Sequence, residues 1–220
     1  MEGRIKRIEK QAPQMPIAGK IKIGEVVNGR PRSLDYFRCD SRYQQKFRDR
    51  LGDRPDSLQI TFPCDDLTIC CDERYECIDR QGKRVGMGNG ETSKLWSEKD
   101  QKYILETDRE RLISAGTWKA TLTLRFLITN FPDVAGIWEL QTHGEASSIK
   151  NIVASFDRVL ASHGTVVMVP FDLNVKKHKS WKPGKKNSYP VLELIPIPGR
   201  LSEWKEQGFI PQDTEIKLIG

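Results

Sequence analysis

Groups able to do chemistry are present in this chain, but they stand apart from one another. His143, His163 and His178 occur singly, without the HExxH or HxH spacing that brings two imidazoles to one metal ion. No GxSxG elbow presents a serine nucleophile. Gly86, Gly88 and Gly90 are not followed by GK[ST], and a phosphate cradle needs its loop to open a helix. They read as a flexible hairpin. Residues 64–79 hold six acids, Asp65, Asp66, Asp72, Glu73, Glu76 and Asp79, against the single base Arg74. Paired carboxylates can hold Mg²⁺ for phosphoryl chemistry. With no third, distant carboxylate identifiable, the run reads instead as a solvated strand face and turn, an acidic stripe able to recognise a basic partner. No catalytic residue and no cofactor are assigned.

Four of the five cysteines, Cys64, Cys70, Cys71 and Cys77, crowd into this same stretch. None forms the CxxC knuckle of a structural zinc site. Neighbouring cysteines on a strand point to opposite faces. Ordinary buried or half-buried reduced thiols are expected, with no metal; a zinc site drawing also on Cys39 is the alternative reading.

Two basic patches remain. Residues 30–54 carry seven arginines and one lysine against four acids, and guanidinium groups suit bidentate contact with carboxylates or phosphates. The run KKHKSWKPGKK, residues 176–186, holds six lysines, a histidine and Trp181 without one acid. A solvated tip would account for the lysines but not for the indole, which could stack on a base or fill a pocket on another protein. The candidate partner- or phosphate-binding residues are therefore Arg30, Arg32, Lys176, Lys177, Lys179, Trp181, Lys182, Lys185 and Lys186.

These residues need elements to position them. At 220 residues the chain can bury a real core without disulfides or metals. A net charge of +6 and a pI near 9.0 are compatible with a nucleic-acid partner, although 30 acids exclude a simple polycation. No apolar run reaches a membrane-spanning length, and MEGRIKRIEK lacks the apolar centre of a signal peptide. A cytoplasmic protein with reduced thiols is expected.

The expected fold is α+β, mainly antiparallel strands. KIKIGEVV alternates as a strand and NGRPR breaks it. Tyr43, Phe47 and Leu51 recur on one face of a short N-terminal helix near 41–51, with Gly52 at its end. SLQITF and residues 67–78 read as strands, the second with one polar face turned to water or a partner. Residues 93–114 are ambiguous between helix and irregular strand. GTWKATLTLRFLIT and AGIWELQTH are strands. A helix near 147–162, capped by Ser147 or Ser148, has an apolar stripe of Ile149, Ile152, Val153, Phe156, Val159 and Leu160. TVVMVPFDLNVKKH and YPVLELIPI are further strands, joined by the lysine-rich tip. Residues 1–18 read as a flexible arm, 19–198 as the main region (with 19–94 and 95–198 as an alternative division) and 199–220 as a C-terminal extension.

The phrases KIKIGEVVNGRPRSLDYFR, GIWELQTHGEASSI and VPFDLNVKKHKSWKPGKKNSYPVLELIP together resemble the larger phage recombination directionality factors, a family also loosely labelled phage hydrolase or metal-binding proteins. The resemblance spans residues 17–198. It implies a non-catalytic switch subunit that binds the coiled-coil region of a phage large serine integrase on attachment-site DNA. Such a factor redirects the integrase from integration to excision in the bacterial cytoplasm, and the integrase performs the strand cleavage. The binding residues named above rest on charge and exposure, and no family residue map is carried over. Protein contact with auxiliary phosphate contact is the preferred role for the lysine tip. The rival readings are an independent phage DNA-binding protein, including one for single strands, and a metal-dependent hydrolase.

Overall fold

The computed structural model describes residues 16–182 and 185–197, with backbone only at 146, 180–182 and 185–187. Most of the expected arm and the C-terminal extension lie outside the described residues.

Strand β1 (Ile17–Val27) pairs antiparallel with β2 (Arg30–Asp40). Between them Asn28 and Gly29 have φ of 51° and 74°, the two positive values that a tight two-residue hairpin turn requires. NGRPR is therefore a turn running straight into a second strand, not merely a breaker. Pro31 is tolerated because β2 pairs with β1 alone, and an edge strand can lack an N–H. Helix α1 (Gln44–Leu51) buries Phe47 and ends where the Gly52 N–H reaches the Arg48 carbonyl at 2.8 Å. It begins later than expected because the Ser41 hydroxyl accepts the Tyr43 N–H at 3.1 Å and holds a turn there.

After β3 (Ser57–Thr61), residues 67–78 are not one strand. Asp66 accepts both the N–H and the hydroxyl of Thr68, at 2.9 and 2.7 Å, and this cap starts the one-turn helix α2 (Leu67–Cys70) before β4 (Cys71–Ile78). The polar face of β4 does not turn to water as expected. Glu76 is buried and accepts from Arg74 at 3.1 Å and Arg84 at 2.9 Å, while Asp72 pairs with Arg74 at 3.1 Å. Two more acids of the stripe serve as local acceptors: Asp65 accepts the Val166 N–H at 2.7 Å, and Asp79 holds the Gln81 and Lys83 N–H groups.

The glycine run forms the expected hairpin, but one built into the sheet. Gly86 and Gly88 lie in β5 (Arg84–Gly88), paired with both β4 and β6 (Ser93–Ser97), and Gly90, with φ of 94°, lies in the connection between β5 and β6. A Cβ on Gly86 would stand 2.8 Å from Leu95, 2.9 Å from Cys77 and 3.0 Å from Trp118, so the missing side chain lets three neighbours close. The ambiguous stretch resolves into β6, β7 (Lys102–Glu106) and helix α3 (Arg109–Ala115), capped by Asp108.

Strand β8 (Thr117–Ile128) is the central strand. It pairs with β4 and β3 and also with β9 (Ile137–Thr142). The sheet runs β11-β10-β3-β8-β4-β5-β6-β7, with β9, β1 and β2 branching from β8. Apart from the parallel β1–β9 pair and one isolated bridge, its pairings are antiparallel. Strands from residues 19–94 and 95–198 share this sheet. The fold is α+β with strands dominant.

A π-helical turn (Glu145–Ile149) leads into α4 (Lys150–His163). Neither serine caps the helix. The Ser148 hydroxyl instead accepts the Leu192 N–H at 3.0 Å, tying the helix start to β11 (Lys185–Pro196). The predicted stripe forms: Ile149, Ile152, Phe156 and Val159 are buried, and Val153 and Leu160 pack beside them. Phe156 meets Phe62 edge to face at 5.0 Å, and Phe62 meets Phe171 at 5.4 Å. A second aromatic group, Phe47, Phe131 and Trp138, joins α1 to the sheet. No helix among the described residues is long and apolar enough to cross a membrane.

Candidate partner-binding cleft between two basic hairpins

The lysine-rich run is strand at residues 176–182 and 185–186. Strands β10 (Phe171–Lys182) and β11 stay in register from Phe171↔Pro196 to Lys182↔Lys185. Only the first part of this ribbon, Phe171 to Asn174, also pairs with β3. Beyond it the residues alternate between two faces. Lys176 pairs with Glu193 at 2.7 Å, and His178 lies 3.8 Å from the same carboxylate. Lys177 reaches instead to Asp35 on β2, at 3.5 Å. Lys179 is exposed. In the backbone register Trp181 stands opposite Lys186 and Lys182 opposite Lys185, but the side chains of these four candidate residues lie outside the described residues.

The Lys177 contact joins the two basic patches. A cleft of about 210 Å³ opens between β2 and the ribbon, lined by Arg32, Asp35, Tyr36, Arg54, Lys177 and Tyr189 among others. Asp35 accepts from Arg54 at 3.0 Å on one oxygen and faces Lys177 with the other. The Arg54 guanidinium lies over the Tyr36 ring at 4.7 Å, a cation–π contact that fixes its plane. Arg32 stands directly across from Glu25 and pairs with it at 3.7 Å. Arg30 is exposed beside the turn and does not line the cleft. Hydrogen bonding from Arg54, the local backbone and then Lys177 hold the Asp35 carboxyl below its ordinary value. Two cations, Arg54 and Lys177, therefore hold the Asp35 carboxylate, and a third, Arg32, lines the same cleft, a setting that favours a second anion, either carboxylate or phosphate.

Of the proposed residues, the structure gathers Arg32 and Lys177 here and turns Lys176 to the other face. Sequence reasoning missed Asp35, Tyr36, Arg54 and Tyr189 as a group. Arg54 lay inside a recognised patch, but nothing local signals that Asp35 meets a residue 142 positions away.

Other cations of the first patch are structural. On α1, Arg50 grips Asp133 through two bonds of 2.7 and 3.1 Å and donates to the Asn130 carbonyl at 2.8 Å, and Lys46 joins the same carboxylate. These bonds hold the Asp133 carboxyl far below its ordinary 3.8. A depressed carboxyl stabilises the fold above its ordinary value, and this contribution is lost as pH falls toward the folded-state value. Melting of the wild type should thus fall below about pH 4 more steeply than that of Asp133→Asn; parallel acid limbs in a Tm series would remove the clasp from the account.

The three histidines are held singly: His143 by Thr121 at 3.0 Å, His163 by Ser162 at 2.6 Å, and His178 near Glu193. Among the described residues no three His, Cys, Asp or Glu side chains gather as a metal-ligand set. The cysteine thiols are unpaired by disulfide, with Cys64 and Cys70 alone in sulfur contact, at 3.2 Å.

No curated protein and no solved structure matches the chain. Over residues 18–197 it matches the model of the Gp3-like family, described as recombination directionality factor-like, and it belongs to that family.

Proposed function

We propose that this protein binds a phage large serine integrase already seated on attachment-site DNA, at its coiled-coil region, and switches recombination from integration to excision. The family match along nearly the whole main region carries this reading. The cleft supports it, because cations of two hairpins distant in sequence face one opening. In this reading Arg32, Arg54 and Lys177 receive an acidic side chain of the integrase. Exposed Arg30 and Lys179, with Trp181, Lys182, Lys185 and Lys186 further along the ribbon, add protein contacts or contacts to nearby phosphates. The chain acts as a regulator and leaves strand cleavage to the integrase.

The physical mechanism is a population shift. An integrase on hybrid sites has synapsis-permitting and synapsis-blocking arrangements, and a partner with differential affinity moves the balance. A difference of about 2–3 kcal/mol, roughly a hundredfold, reverses direction in practice.

Gel-shift titration separates this from the rival readings. The protein should further retard the integrase–DNA complex at concentrations that leave naked DNA unshifted. Equal binding to naked duplex or single strands, with a steep salt slope, would establish the independent DNA-binding reading instead.

A further inference from the structure

The function proposed above uses none of the cysteines, and the structure separates them sharply. Cys39, Cys70, Cys71 and Cys77 are buried, whereas Cys64 is partly open to solvent. Cys64 and Cys70 touch, sulfur to sulfur, at 3.2 Å. A disulfide bond is about 2.05 Å long, so the two sulfurs need to close by only about 1.2 Å. The intervening turn is held at both ends. Asp65 accepts from the Thr165 hydroxyl and the Val166 N–H, Asp66 caps α2, and Arg125 donates to the Ile69 carbonyl at 3.1 Å. Such tethering makes the encounter of the two thiols effectively intramolecular and prepaid. Cys71, the immediate neighbour of Cys70 in sequence, belongs to β4 and feels Asp157 of α4.

We propose that Cys64 and Cys70 form a redox-active dithiol, a modification site at which peroxide converts the pair to an intramolecular disulfide, with Cys64 reacting first. The Cys64 thiolate attacks one peroxide oxygen, the O–O bond breaks, hydroxide leaves and a sulfenic acid forms. The Cys70 sulfur then attacks the Cys64 sulfur, the S–O bond breaks, and the departing hydroxide takes the Cys70 proton to leave as water. In total two thiols and one peroxide give one disulfide and two waters. The division of roles follows from access, because the oxidant reaches Cys64 while Cys70 is fully buried. Burial and the neighbouring Cys64 also push the Cys70 thiol up to about 12, which keeps it protonated until the sulfenic acid is beside it.

The test is mild hydrogen peroxide treatment of the folded full-length chain, then alkylation under denaturing conditions and peptide mass mapping. The 64–70 pair should lose two hydrogen atoms and resist alkylation while Cys39 and Cys77 remain fully alkylated. Cys71→Ala should close the same bond. Cys70→Ala should instead leave a Cys64 sulfenic acid that dimedone traps, and this variant keeps the proposal testable if Cys64→Ser folds poorly. A monosubstituted trivalent arsenical, which bridges close thiol pairs, should bind the wild type and not Cys64→Ser. Full alkylation of Cys64 and Cys70 after peroxide, or a bond from Cys64 to Cys71 in the wild type, would overturn the proposal.

Discussion

Phe156→Ala is expected to lower the unfolding free energy by about 3–5 kcal/mol, the range for truncating a fully buried aromatic. The ring sits at 0% exposure in the middle of α4, edge to face with Phe62, which in turn packs on Phe171 of β10. Its removal leaves a void between helix and sheet that rigid strands on the other side cannot fill. It also weakens the seat of the basic ribbon, because β10 enters the core at Phe171. Urea unfolding should show a midpoint lowered by about 1–2 M with an unchanged slope. Val153→Ala, at a partly buried position of the same stripe, should cost clearly less. A Phe156→Ala loss under about 1 kcal/mol would mean that the helix is not anchored there.

Reversing charge inside the cleft should cripple the switch without disturbing the fold. The double variant Arg32→Glu with Lys177→Glu replaces two of the three cations lining the cleft by acids. Like charges brought against an acidic partner cost several kcal/mol, so at least about tenfold more protein should be needed for half-maximal stimulation of excision. The lost pairs are solvent-exposed, with side-chain exposures of 62% for Lys177 and 68% for Arg32, and such pairs contribute little to stability. Lys176→Glu is the internal control, since Lys176 lies on the opposite face with Glu193. Thermal melting and excision should be measured on the same preparations. Equal loss in the double variant and the control would point to bulk charge and not to the cleft.

Periodic signals in the sequence located the parts of the fold that answer to local rules. The i, i+3, i+4 stripe of α4 and the alternation of β1 and β9 were legible because each buries one face against a continuous core, and β8 kept its alternation of apolar residues and threonines although residues 120–124 are buried on both faces. Where the reading failed, a local hydrogen bond or a distant partner overruled the pattern. Asp66 turned the start of an apparent strand into α2. Gly86 was read as a sign of flexibility, although its missing side chain admits Leu95, Cys77 and Trp118. The acidic stripe was legible as charge but not as a half-internal network, because its partner Arg84 comes from the next strand. The cleft was half legible: both basic patches were visible, yet their meeting through Asp35 and Lys177 depends on tertiary pairing. Within the lysine-rich run, the strand register separates Lys176 from Lys177, a distinction that composition does not carry.

The central claim is a change of direction, and one titration tests it most directly. Purified cognate integrase is incubated with the left and right hybrid sites, and separately with the original phage and bacterial sites, while this protein is added in increasing amounts. Recombination of the hybrid pair is expected to rise and that of the original pair to fall. Both effects should saturate with integrase concentration and not with total DNA, because the shift arises from differential contact with two integrase arrangements. Equal inhibition of both pairs, as expected of a protein that coats DNA through phosphates, or no effect on either, would contradict it.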